Sequence, residues 1–226
     1  MREQWCLPPE GDADFAWRME DVLDVYTRPA DPARPVVCLD ETSRQVLADV
    51  RPPRPAAPGQ PRREDPEYVR EGVVNLFLVC APLQGWRQVR VSDQRTRLDW
   101  AACVKDLVDI HYPEAERIVL VMDQLNTHSP AALYEAYPPA EAKRLTDRLE
   151  IHYTPKHGSW LNMAEIELSI LQRQCLDRRL GGRATLEREV AAWVRARNQA
   201  AAAIDWRFTT ADARIKLKRL YPAHDE

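Results

Sequence analysis

The chain has 226 residues, 45% of them hydrophobic, enough for one sizeable core with or without a helical appendage, and one main domain is expected. No apolar run approaches the length that spans a bilayer, and the first twenty residues lack the basic start and apolar stretch of a secretion signal, so a cytosolic protein without a membrane partner is predicted. A formal charge of −3 and a pI near 6.0 argue against a protein that coats nucleic acid, since neutralising phosphates requires clustered lysine and arginine.

In chain order, Phe15, Met19, Val22 and Tyr26 recur at helical spacing and predict one amphipathic helix ending before Pro29. Residues 1–30 are read as this helix and a linker packing on the core, and residues 31–226 as the main domain. PVVCLDET reads as a short apolar strand with Asp40 near its end, and Gln45 to Val50 as a second strand. Prolines at 52, 53, 55, 58, 61 and 66 then make residues 51–66 a long loop rather than a core element. Its arginines at 51, 54, 62 and 63 are placed to reach a phosphate or a partner subunit.

GVVNLFLVCA and WRQVRVS, separated by PLQG, predict a hairpin. A helix over Leu98 to His111 follows, then the strand RIVLVMD, helices near Pro130 to Tyr137 and Ala140 to Leu149, and a short strand from Glu150 to Tyr153. The last third reads as helices over Leu161 to Arg179 and Leu186 to Ala203, the second capped by Thr185. The order is βββαβαβα. Five cysteines (Cys6, Cys38, Cys80, Cys103, Cys175) show no spacing suited to zinc and read as buried reduced thiols. Basic clusters stand at Arg87, Arg90, Arg95 and Arg97, at Arg173, Arg178 and Arg179, and at Arg214, Lys216, Lys218 and Arg219. Each is either a patch that tracks a nucleic-acid backbone or a solvated face.

Asp40 and Asp123 both end apolar strands, where ligands gather at a sheet edge, although an aspartate there also serves as an acceptor for the following turn. Glu165 follows the loop TPKHGSWLN. With Asn162 as N-cap, the same glutamate could simply complete a capping box, and helical periodicity does not separate Glu165 from Glu167. Converging carboxylates repel one another unless a cation lies among them. Hard oxygen donors suit Mg2+, with Mn2+ as substitute, and two ions about 3.5–4 Å apart can drive in-line phosphodiester cleavage. His128, His152 and His157 offer a rival zinc set without compact spacing, and otherwise read as polar loop positions or as assistants at the carboxylates. Lys156 and His157 are further candidates for contact with DNA or the site, as are Arg95 and Arg97.

VVCLDET, GWRQVRVSDQRT, VLVMDQLNTH and HYTPKHGSWLNMAEIELSIL together resemble bacterial insertion-sequence transposases of the mariner-like DDE superfamily, over nearly the whole chain. The resemblance implies an α/β, ribonuclease H-like fold: a mixed five-stranded sheet flanked by helices, with the proline-rich segment inserted after the first strand region. It maps the acidic triad to Asp40, Asp123 and Glu165, with Asn162 opening the Asn-x-x-Glu slot, and so selects Glu165 over Glu167. It implies cleavage at transposon ends and strand transfer into target DNA by a homodimer or synaptic multimer in the bacterial cytoplasm, with no small-molecule cofactor. By position alone, residues 51–66 match an insertion that clamps a partner subunit. The chain departs from the pattern in having Gln124 after Asp123, in a longer interval to Glu165, and in lacking helix-turn-helix modules ahead of Trp5. An isolated domain, half of a split reading frame or a truncated remnant would each account for the last. A stand-alone ribonuclease H-like nuclease and a non-catalytic DNA-binding remnant are the competing functions.

Overall fold

The computed structural model describes residues 11–223; Cys6 and the rest of the first ten residues, with the last three, lie outside it. Helix α1 (Ala13–Tyr26) starts at Asp12, whose carboxylate accepts from the amides of Asp14 and Phe15, and its apolar stripe is buried as the periodicity predicts. Strands β1 (Val36–Asp49), β2 (Tyr68–Ala81) and β3 (Trp86–Ser92) form an antiparallel meander. Strands β4 (Ile118–Met122) and β5 (Leu149–Tyr153) then add in parallel on the other side of β1, giving one sheet of order β3-β2-β1-β4-β5. Two apolar cores cover its faces. One unites α1 with α5 (Met163–Leu171) and α6 (Arg183–Gln199); the other unites α2 (Arg97–Asp106), α3 (Ala131–Ala136) and α4 (Pro139–Asp147). Strand alternation sends Cys38 to the first core and its neighbours Val37 and Leu39 to the second. A short helix α7 (Thr210–Lys216) packs on α1.

Four expectations are corrected. Gln45 to Val50 is not a separate strand, because β1 runs unbroken against an equally long β2 and takes up the mismatch in a register shift between Gln45 and Leu47. Thr185 does not cap α6. The helix begins three residues earlier, at Arg183, where the preceding Gly182 adopts φ 80°, a conformation that suits a residue without Cβ. The predicted helices over 98–111 and 161–179 are each an α-helix closed by a π-helical turn, at Leu107–His111 and Gln172–Leu176. Finally, residues 51–66 are not structureless. Mutual backbone hydrogen bonds join Arg54 to Arg63 and Ala57 to Gln60, so the segment is a narrow hairpin turning at Pro58-Gly59 and projecting beyond the sheet. Arg179 ties down its base through Asp49 and the carbonyls of Asp65, Pro66 and Glu67.

The expected basic patches are largely spent within the protein. Arg87 is fully buried, Arg90 pairs with Asp106, Arg178 with Glu189, and Arg214 with Glu20. Arg87 lies across the buried carboxylate of Glu167, with Nε 3.2 Å from Oε2 and Nη2 3.3 Å from Oε1. Arg197 of α6 donates to the same Oε1 at 2.6 Å. This network sets the rotation of α5 about its axis. Removing Glu167 leaves the fully buried Arg87 charged and without its partner carboxylate, so Glu167→Ala is expected to lose about 3–5 kcal/mol of unfolding free energy in a denaturant titration. An unchanged midpoint would show that the network contributes little.

Candidate active site

Three elements deliver acids to one edge of the sheet. The parallel pairing of β1 with β4 ends at Cys38 opposite Val121, and continuing that register by two positions sets Asp40 level with Asp123, the first residue after β4. Glu165 lies in the first turn of α5, on the helix that packs against β1. The link between strand and helix is Asn162, which is wholly buried. Its Oδ1 accepts from the Ala164 amide as the N-cap of α5, while its Nδ2 donates to the Leu39 carbonyl at 2.9 Å and to Asp40 Oδ2 at 3.2 Å. Tyr26 of α1 fixes the preceding residue by donating to the Leu161 carbonyl at 2.7 Å.

The capping-box alternative for Glu165 does not hold. The Asn162 amide donates to the Ser159 carbonyl, and the Glu165 carboxylate has no hydrogen-bond partner among the described residues. Glu167, two residues on, points away into its arginine network. The ambiguity between the two glutamates is thus resolved by tertiary partners that helical periodicity does not reveal.

Burial and like charge work together here. Burial, then the charges of Glu165, Asp123 and Glu41, push the Asp40 carboxyl up to about 7. Glu165 is likewise raised, by burial and then by Asp123 and Glu41. Burial would also raise Asp123, but the hydrogen bond and charge of His128 hold it below the usual carboxylate range. His128 is buried, its Nδ1 2.5 Å from Asp123 Oδ1 and its Nε2 2.9 Å from Glu41 Oε2. Burial disfavours the imidazolium, but the two carboxylates outweigh it and raise His128 to about 9, so it is charged at neutral pH.

Glu41 was not among the residues singled out by sequence. It follows Asp40 on β1 and therefore faces the opposite side of the sheet, where its side chain is only 2% exposed and Arg95 approaches to 3.7 Å. The only sequence signal is its adjacency to Asp40. Arg97 pairs with Glu135 at 2.7 Å and, with Arg18 of α1, Gln124, Asn126, His128 and Tyr153, lines a 450 Å³ cleft beside Asp123. Lys156 and His157 are exposed on the turn before α5, His157 at φ 64°, and neither reaches the carboxylates. His152 is held by Asp21 and Glu150, so the three histidines do not converge.

Fully ionised, Asp40, Glu41, Asp123 and Glu165 carry four negative charges against one each on His128 and Arg95, an imbalance that a divalent cation would match. Hard carboxylate oxygens suit such an ion. Among the described residues no three carboxylate, imidazole or thiolate groups are drawn closely enough to ligate one as they stand. Asp123 is engaged by His128 and Asp40 by Asn162.

The fold recurs in solved structures. A Mos1 transposase paired-end complex with left transposon end superposes with a TM-score of 0.58 at 16% identity, covering 87% of this chain and 59% of that one. The Mos1 mariner paired-end complex with Mn gives 0.56 at 16% identity over 87% and 59%, and the one with Mg gives 0.56 at 14% over 99% and 67%. The chain thus spans about 59% of the length of the first of these. The shared architecture is the ribonuclease H-like mixed sheet flanked by helices. No curated protein matches the sequence significantly. A profile of the DDE superfamily endonucleases matches residues 35–187, from the start of β1 to the start of α6. That match covers more than half of the sequence, and the chain belongs to the DDE superfamily endonuclease family.

Proposed function

We propose that this chain is the catalytic domain of a transposase that cuts phosphodiesters at transposon DNA ends and transfers the strand into target DNA, with Asp40, Asp123 and Glu165 as its metal-holding residues. The observation that supports the reading is the register that sets Asp40 level with Asp123 at one sheet edge, with Asp40 raised by burial and then by Glu165 and Asp123, and Glu165 raised by burial and then by Asp123 and Glu41. Family membership supports it, as do relatives of like fold whose structures are complexes with transposon ends, Mg or Mn. On this reading the catalytic unit begins at residue 31, the described part of the preceding segment, residues 11–30, packs against it, and the protein works in the bacterial cytoplasm. No helix among the described residues is long and apolar enough to cross a membrane.

Two Mg2+ ions, replaceable by Mn2+, would supply Lewis acidity and an activated water when bound. The protein's own groups position and neutralise. Asn162 orients Asp40, His128 orients Asp123 and carries positive charge beside it, and Glu165 keeps an unengaged carboxylate on a capped helix. Arg95 and Arg97, with Arg18 across the cleft, are set to receive phosphates near the acids, and the exposed Lys156 and His157 to touch the duplex beyond. The hairpin of residues 51–66, exposed over most of its length, is the segment offered to a partner subunit in a homodimer or synaptic multimer.

Cleavage of labelled transposon-end duplexes tests the reading directly. The wild type is expected to nick only with Mg2+ or Mn2+, and Asp123→Asn to lose at least about a thousandfold in rate, several kcal/mol of transition-state stabilisation. Metal-independent nicking, or a fully active variant, would contradict it. Asn162→Ala removes both a cap and the donor to Asp40. It should cost about 1 kcal/mol of stability and weaken Mn2+ binding by roughly 10–100-fold, as loss of an orienting partner does. Calorimetric titration with Mn2+ reads the second effect, and unchanged affinity would remove Asn162 from its positioning role.

Stability without metal should carry the signature of the crowded acids. Asp40 titrates from 3.8 to about 7 on folding, so between those values the folded chain keeps a proton that the unfolded chain releases, and stability falls as pH rises through that window. Glu41, Asp123 and Glu165 face it with their charges, and Asn162 with its amide. His128, raised from 6.5 to about 9, stabilises at low pH and loses that contribution over a higher window. Thermal melts of Asp40→Asn in chelator should therefore be flatter than wild type from about pH 4 to 7, and higher above pH 7. Parallel curves would contradict the assignment.

A further inference from the structure

Asp123 is gripped through one oxygen only. Its Oδ1 accepts from the Leu125 amide at 3.2 Å and lies 2.5 Å from His128 Nδ1, while its Oδ2 takes no hydrogen bond from any described residue. His128 in turn is held from three directions. Its amide donates to the Leu125 carbonyl at 2.8 Å, the Tyr153 hydroxyl donates to its carbonyl at 2.9 Å, and the buried indole of Trp100 stacks on its ring, centroids 6.2 Å apart and planes inclined at 30°. The remaining nitrogen of the ring faces Glu41. Nε2 lies 2.9 Å from Glu41 Oε2 with both side chains buried, close enough for an ion pair but not aligned for a hydrogen bond, so the contact is one of charge. Arg95 reaches the other oxygen of Glu41 only at 3.7 Å.

A fourth carboxylate buried beside three that already repel one another is costly, and an apolar residue of like volume would fill the same space without that cost. What an apolar residue would not do is aim the imidazole. Strand alternation explains how Glu41 can do so: β1 sends it to the face of Leu39, on the side of α2 and α3, and sends Asp40 with Cys38 to the side of α5, the helix that carries Glu165. The grip on Asp123 therefore comes from the face opposite to that of the other two acids. We propose that Glu41, acting through His128, is a positioning residue of the metal site: it holds Asp123 so that Oδ1 is engaged within the protein and Oδ2 alone is presented to a divalent ion. The inference rests on the metal-dependent reading above and extends it to a residue outside the acidic triad. A carboxylate that binds through one oxygen leaves more of a small hard ion's sphere to water and phosphate. Loss of the outer partner of such a ligand weakens metal affinity roughly 10–100-fold.

Calorimetric titration of the full chain with Mn2+, without DNA, tests this on two variants. Glu41→Asp keeps the charge and loses the reach; Glu41→Gln keeps the reach and loses the charge. A contact of charge at close range needs both, so each should weaken Mn2+ binding about tenfold. In a His128→Leu background, which has no ring to aim, either change should alter the affinity by less than about twofold, the mark of two residues acting as one unit. A Glu41 that acted through its field alone would leave Glu41→Asp at wild-type affinity, and Glu41→Gln would weaken binding by one factor with or without His128. Either result would overturn the proposal while leaving the metal reading intact. A wild type that binds no Mn2+ would overturn both. Denaturant titrations in chelator establish that each variant is folded, and where His128→Leu is not, the contrast between Glu41→Asp and wild type decides the point.

Discussion

Asn162 is the contact on which the acidic edge depends. One buried amide caps α5, donates to the carbonyl of Leu39 and donates to the carboxylate of Asp40, so a strand and a helix far apart in sequence are held at hydrogen-bonding distance. A side chain with three partners in a dry site has little freedom to move. Glu165 follows by helical geometry alone, three residues into the helix that Asn162 opens. Tyr26 steadies the approach from one side, and the Arg87, Glu167 and Arg197 network holds the far side of α5. These neighbours, none of them a proposed metal ligand, fix the elements that carry the carboxylates.

That meeting works against stability. Asp40 and Glu165 are buried beside other acids and raised accordingly, while two extensive apolar cores supply the stability that tolerates it. His128 moderates the strain as a charged bridge between Asp123 and Glu41, from opposite sides of one imidazole. The result is an edge short of positive charge, held by a rigid sheet, which is the condition under which a divalent ion is attracted.

Much of this was legible from residue patterns. The apolar runs VVCLD and IVLVMD point to Asp40 and Asp123, although β1 continues past Asp40 to Asp49 and it is the parallel register with β4, not a strand end, that sets Asp40 level with Asp123. The amphipathic stripe of α1 also reads directly, since it is a local periodicity. What escaped was tertiary. Glu41 looks like an exposed strand residue until His128 and Arg95 arrive from other segments to bury it. Arg87 counts as surface charge in a sequence and is wholly enclosed in the fold. Thr185 has the better capping side chain, but the backbone turn at Gly182 starts the helix first. Prolines marked 51–66 as irregular, yet the alternating residues between them retain enough donors to pair as a hairpin.

Anomalous scattering from a Mn2+-soaked crystal, compared with Asp123→Asn, tests the central claim most directly. The account predicts peaks among Asp40, Asp123 and Glu165, reached by small side-chain rotations and lost or weakened in the variant. Saturating Mn2+ with no density at these three carboxylates, or density only elsewhere, would contradict it.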